Sequence, residues 1–279
     1  MIKIVVGSTT DLPQEWFQRY QITSVPLNIH FGTETFKENI DLDQASFYRK
    51  VEMSHMIPKT SQPSPGEFME AFRRAAGPGD AVLSILISSK LSGTYQSAEL
   101  AASQLAGELP VYVFDSLCGS AGEGFMALEA ARMAEAGGSI QAILKRLEEI
   151  RARMNIFLTP ETLKYLQMSG RVTNAQALIG SVLSLKPVIA LNNGALAPAA
   201  RIRTRSKALD HLLTMTEGAV GDKPINLAVI HAQASADAEA LMARARQMFK
   251  IQEGFVQEMS TVIAAHLGPG CLGLVSYVV

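Results

Sequence analysis

Hydrophobic and polar positions follow two rhythms along this chain. In the first half, apolar runs of strand length at Ile2–Val6, Ala81–Ile87 and Val111–Phe114 are separated by segments with helical spacing. Asp11-Leu-Pro-Gln14 reads as the cap of a first helix, with Gln14 at the third position of a capping box. Ile22–Phe31 reads as extended, and Asp41-Leu-Asp-Gln44 opens another helix. Ser64-Pro65-Gly66-Glu67 is a stronger start signal, with a serine cap, proline at the first helical position and glutamate at the third. A helix to about 106, the strand 111–114 and two helices over 119–153 follow. Strands alternating with helices of this length predict a doubly wound, mainly parallel sheet.

The second half changes rhythm. Asn155–Leu158 reads as a short strand and Thr159-Pro160 as a helix cap. Pro187–Leu191 and Ala195–Ile202 flank Asn192-Asn193-Gly194, a hairpin signal because Asn-Gly tolerates positive φ. A helix from about Ser206, the strand Ile225–Ile230, a helix over 235–249 and strands near 255–263 and 272–279 complete the pattern. The expectation is a Rossmann-like α/β domain over 1–153 and an α+β domain over 154–279, closely apposed, with a ligand cleft between them.

Composition narrows the function. The 279 residues carry a net charge of −1, which gives no global attraction to nucleic acid or an anionic membrane. Two cysteines without a repeating framework suit a reducing cytoplasm. Met1–Gly7 is too short for a signal peptide and reads as the first strand. No apolar run of about 18 residues suggests a membrane span.

Candidate chemistry starts at Ser84–Ser97. Six hydroxyl-bearing residues lie between Ser88 and Ser97, between an apolar strand and a helix. Ligands of open α/β sheets bind there, and neutral donors with a glycine make an anion cradle. Ser92 and Gly93 sit at its centre. Ser92 has three readings: a helix cap, a carboxylate-binding hydroxyl, or an esterase nucleophile with His266 as base. Lys90 and Thr94 stand where a G-x-S-x-G elbow needs glycine. Thr60 and Ser61 form a second donor group just before the helix that Ser64 caps.

His266 precedes Gly268-Pro-Gly270, at the end of the expected strand 255–263, where it could hydrogen-bond a ligand or titrate near neutral pH. The formal match Gly268-x-Gly270-x-x-Gly273 lacks a following helix and reads as a tight turn. Between Glu161 and Asp210 there is no acidic residue, yet Arg201, Arg203, Arg205 and Lys207 alternate there, pointing to an anionic group or an acidic partner. Cys118, near a helix start, reads as a packed small residue. The chain has no P-loop, H-E-x-x-H or paired-cysteine metal spacing. A phosphate- or anion-binding regulatory module therefore stays open beside the esterase.

Several motifs together resemble the DegV family. They are Thr60–Phe68, Ile87–Ser97, Tyr165-Leu166, Gly170-Arg171, Leu185-Lys-Pro187, Arg203-Thr-Arg205 and His266-x-Gly-Pro-Gly270, in order over essentially the whole chain. The resemblance implies a non-catalytic protein that binds a long-chain fatty acid between two domains. It implies no cofactor and no metal. The partner it implies is an ATP-binding fatty acid kinase subunit that converts the presented carboxylate to an acyl phosphate. It implies neither nucleic acid nor a membrane-spanning segment, only transient contact with a membrane surface. By position, Thr60, Ser61, Ser92, Gly93 and His266 would meet the carboxylate, and Arg201, Arg203 and Arg205 the partner or the phosphate. One departure is Gly7-Ser8-Thr9, where the family's first strand usually ends Asp-Ser-Thr.

Overall fold

The computed structural model describes residues 1–171 and 185–279. They form two units, Met1–Arg151 with Ser260–Val262, and Ala152–Met259 with Ile263–Val279. The expected division at 153/154 did not assign Ser260–Val262 to the first unit.

The first unit runs β1 (Ile2–Gly7), α1 (Gln14–Arg19), β2 (Thr23–Val25), β3 (Asn28–Phe31), β4 (Glu34–Lys37), α2 (Gln44–Ser54), β5 (Lys59–Ser61), α3 (Pro65–Ala75), β6 (Ala81–Leu86), α4 (Thr94–Gln104), β7 (Val111–Asp115), α5 (Ala121–Glu135) and α6 (Ile140–Arg153), the last crossing into the second unit. Among the described residues, β2-β1-β6-β7 form a parallel sheet in that order. Its core follows from strand alternation. Val5, Val82 and Leu86 pack with Phe68 and Phe72 of α3 and with Ala98, Ala101 and Leu105 of α4. Burying an aromatic of this size contributes about 1.5–3 kcal/mol, and α3 supplies two.

The extended stretch 22–31 does not stay in one sheet. After β2 the chain turns into β3, which pairs antiparallel with β4 and β5 in a small separate sheet. Phe31 anchors it edge-on to Phe36 and Phe47, with ring centroids 6.3 and 6.0 Å away.

Ser64 caps α3 as expected: its side chain accepts from the Glu67 N–H while the Glu67 carboxylate accepts from the Ser64 N–H. Asp11 does not cap α1, whose N-cap is Pro13 and which has no side-chain cap.

The second unit continues with β8 (Met154–Thr159), α7 (Lys164–Ser169), β9 (Lys186–Asn192), β10 (Ala195–Ile202), α8 (Arg205–Val220), β11 (Ile225–His231), α9 (Ser235–Met248), β12 (Ile251–Glu258), α10 (Thr261–Leu267) and β13 (Leu272–Val278). Among the described residues its strands form one mixed sheet ordered β10-β9-β8-β13-β11-β12, in which only β11 and β12 pair parallel. Asn193 and Gly194 have φ of 50° and 84°, the positive pair a tight hairpin between β9 and β10 requires.

One sheet face, with Val188, Leu227, Val229, Leu272 and Leu274, is covered by α8 and α9. The alternate positions Leu158, Ile189, Ala228, Ile230 and Val275 make the other face apolar and buried too. Two sequence expectations fail. Thr159-Pro160 caps nothing, since α7 starts at Lys164 after Leu163 without a side-chain cap. The strand 255–263 stops at Glu258, and Thr261 begins α10. Among the described residues no helix is long and apolar enough to cross a membrane.

Candidate functional site

β1 is the pivot of the parallel sheet. Its chain turns through α1 to β2 on one side, whereas β6 continues through α4 to β7 on the other. Ligands of such sheets bind beyond the carboxyl ends of the strands where the order reverses. Here those ends are Gly7–Thr10 after β1 and Ile87–Gly93 after β6.

The hydroxyls after β6 are mostly committed to the loop itself. The Ser88 N–H donates to the Cys118 carbonyl at 2.7 Å, and the Leu91 and Ser92 N–H groups donate to the Ser88 carbonyl. Ser88 Oγ accepts from the Lys90 N–H at 3.2 Å. Ser97 Oγ, in the first turn of α4, donates to the Pro63 carbonyl at 2.6 Å, tying the helix that follows this loop to the loop before α3. Ser92 stays partly exposed. Its Oγ shares a 2.8 Å hydrogen bond with Thr94 Oγ1 and accepts from the Thr94 N–H at 3.3 Å. Nothing in this pairing activates a nucleophile, which needs a base at hydrogen-bond distance. A Cβ placed on Gly93 would lie 3.0 Å from Gln62 Nε2, so the two donor-rich loops touch there.

Thr60 and Ser61 belong to β5 and therefore face opposite sides of its sheet. Thr60 pairs with buried Ile29, and Ser61 with Asn28. Ser61 Oγ lies 2.9 Å from His30 Nε2 and accepts from Asn28 Nδ2 at 3.4 Å. One carboxylate cannot take side-chain donors from both. Ser61 is engaged by its own sheet.

The densest polar cluster at this end of the sheet escaped the sequence reading. Glu123 of α5 is buried and accepts from Thr9 Oγ1 at 3.0 Å and Thr10 Oγ1 at 2.6 Å. Asp11 is buried, accepting from Ser120 Oγ and from the Ser260 N–H, the latter at 2.8 Å. Glu38, just past β4, accepts from Thr261 Oγ1 at 2.6 Å and the Val262 N–H at 2.8 Å.

Burial pushes Asp11 from 3.8 up to about 8 and Glu123 from 4.5 up to about 8, against the pull of these hydrogen bonds. Burial raises Glu38 as well. A signal for Glu123 was present: it interrupts the apolar run Ala121–Leu128, and a helix apolar on all sides is a buried one.

In the second unit, His266 lies in the last turn of α10, not at a strand end. Burial, and then the Arg171 charge, lowers its pKa to about 4. The imidazole is neutral at physiological pH, so it offers a hydrogen bond but no charge and no titration near neutrality. Gly268 and Gly270, both at φ 79°, turn the chain into β13. A Cβ on Gly268 would come within 2.5 Å of the Tyr165 ring, so only glycine fits beneath Tyr165.

The basic stretch separates into two kinds of residue. Arg205 opens α8 and is spent on structure. Its guanidinium donates to the Thr159 carbonyl at 3.1 Å and the Gly270 carbonyl at 2.5 Å, and Nε lies 3.4 Å from Glu161 Oε1. Lys186 pairs with Glu161 too. A segment free of acids in sequence is thus neutralised in space by an acid just before it. Arg201 and Arg203 remain exposed, with no side-chain partner among the described residues. Arg201 closes β10 and Arg205 starts a helix, so the expected single face of alternating charge does not form. Cys118 is buried, and burial pushes its thiol far up, so it is a packed residue and no thiolate.

Residues 1–278 match the DegV family model, "Uncharacterised protein, DegV family". Protein DegV of Bacillus subtilis is 36% identical over 98% of this chain and 98% of its own length. A fatty acid-binding protein of Thermotoga maritima is 32% identical over 98% of this chain and 96% of its own. Among solved structures, a fatty-acid-binding DegV family protein from Thermus thermophilus superposes with a TM-score of 0.93 at 35% identity, covering 100% of this chain and 99% of the other.

Proposed function

This chain belongs to the DegV family, and we propose that it binds a long-chain fatty acid and presents the carboxylate to an ATP-dependent kinase partner. The full-length likeness to the Thermus fatty-acid-binding structure carries this reading. Thr60, Ser92 and His266 hold the carboxylate, with Gly93 letting the backbone come close. All three side chains are uncharged donors, which orient a carboxylate without chemistry of their own. The opposite faces of Thr60 and Ser61 favour Thr60 for the direct contact.

Apolar positions such as Ile189, Ile230 and Val275 offer the kind of surface that encloses a tail. At roughly 0.8 kcal/mol per methylene, a sixteen-carbon chain gains on the order of 11 kcal/mol before association and ordering costs. The polar end then chiefly sets orientation. Arg201 and Arg203, exposed and without an ion-pair partner among the described residues, receive the partner or the phosphate of its nucleotide. Arg205 supports the fold behind them.

Organic extraction of the purified protein, followed by mass spectrometry, is expected to release a fatty acid. A protein that yields none and takes up no radiolabelled oleate on titration overturns the proposal.

A further inference from the structure

α10 has no acidic residue in its own first turn. The first N–H groups of any helix lack intrahelical acceptors and need partners from elsewhere. Two carboxyl groups remote in sequence supply them. Asp11 accepts from the Ser260 N–H at 2.8 Å, and Glu38 accepts from both Thr261 Oγ1 and the Val262 N–H, at 2.6 and 2.8 Å. All of these residues belong to the first unit, to which the chain returns only for Ser260–Val262 before leaving again. His266 follows Val262 by four positions, one turn along on the same helical face.

We infer that Glu38, supported by Asp11, is a positioning residue for His266: it fixes the entrance of α10 and thereby where the imidazole is presented to a ligand carboxylate. The inference rests on the proposed contact between His266 and the fatty acid. The geometry carries it: Glu38 is 1% exposed and takes two donors from consecutive residues, so the carboxylate dictates both the position and the rotation of the first turn. α10 is only seven residues long, so His266 sits about one turn from the residues that Glu38 holds.

The test measures selectivity for the head group. Lipid-stripped protein is titrated with radiolabelled oleate in competition with unlabelled oleyl alcohol, which has a similar tail and no carboxylate. His266→Ala is expected to reduce the preference for oleate about tenfold, the value of one hydrogen bond to a charged group. Glu38→Ala is expected to reduce it similarly while alcohol binding persists. Glu38→Gln, which keeps the acceptor oxygen, restores most of it. The double variant His266→Ala/Glu38→Ala should be no worse than either single one.

If His266→Ala loses the preference and Glu38→Ala keeps it, the positioning role is overturned. If His266→Ala itself keeps the preference, the carboxylate contact fails first. Should Glu38→Ala not fold, Thr261→Val, which removes one of the two donors that α10 offers Glu38, decides: a threefold or greater loss of preference supports the role, and an unchanged preference overturns it.

Discussion

Gln62 lies across Gly93: a Cβ at residue 93 would stand 3.0 Å from Gln62 Nε2 and 3.1 Å from its Cδ. The contact joins the loop before α3 to the loop after β6, beside the hydrogen bond from Ser97 to the Pro63 carbonyl. Gly93 has φ of −72°, so alanine suits its backbone and only Gln62 must yield. Gly93→Ala is expected to change stability by less than about 1 kcal/mol and to raise the oleate Kd several-fold. Adding Gln62→Ala should return part of the affinity. Thermal melts and oleate titration check both halves, and an unchanged Kd would separate Gly93 from the carboxylate.

The buried acids set the pH dependence of stability. Asp11 and Glu123 stay protonated in the native protein up to about pH 8 but ionise near 4 when unfolded. Between those values the unfolded chain binds fewer protons, so stability falls as pH rises from about 4 to about 8. Charge on one acid also reaches its neighbours: Glu38 raises Asp11, and Asp11 raises Glu123. Glu123→Gln removes one of these protons while the Thr9 and Thr10 hydroxyls can still hydrogen-bond the amide. Urea titrations at pH 5 to 8 should show the slope of stability reduced by up to about 1.4 kcal/mol per pH unit. An unaltered slope means that Glu123 ionises normally in the native state.

His266 contributes no proton step to binding. Its pKa is lowered to about 4, so the ring is neutral from pH 5.5 to 8. Oleate affinity over that range should show no inflection near 6.5 that disappears in His266→Ala. Titration of the ring by NMR should give an apparent value well below 6.

Arg203 and Arg205 should behave as opposites. Arg205→Ala deprives the Thr159 and Gly270 carbonyls and Glu161 of a partner, and is expected to destabilise the protein by about 1.5–3 kcal/mol. Arg203→Ala touches no partner among the described residues and should leave melting and oleate binding unchanged. It should still slow acyl-phosphate formation when the kinase subunit and ATP are supplied. Equal rates with and without Arg203 would remove it from the docking surface.

What sequence could reveal was local. The serine cap at Ser64, the Asn193-Gly194 hairpin and the apolar strand read at 81–87 are each written within a few neighbouring residues, and each appears, the strand ending one residue early at Leu86. Asp11 shows the limit. Its spacing to Gln14 imitates a capping box, but its carboxyl is claimed by Ser120 and Ser260, which no local window contains. Thr261 shows it again: residues 255–263 read as one strand, yet Glu38 caps a helix there from 224 residues away. The acid-free run 162–209 misled for the same reason, because Glu161 reaches Lys186 and Arg205 through space. Thr60, Ser92 and His266 were identifiable as donors. Which faces they present depends on which residues join a strand and on helix phase, and the short strand β5 puts Ser61 on the other side of its sheet from Thr60.

The return of the chain to the first unit at Ser260–Val262 bears on how this gene can be divided. A fragment ending at Arg151 would carry nearly all of that unit and still be incomplete. Asp11 would keep Ser120, but it and Glu38 would lose the donors they hold at 260–262, in a place built for them to be covered. The coding order therefore closes the first unit last, with a piece translated more than a hundred residues after the rest. On the ribosome that unit waits, unfinished, until Val262 has been added.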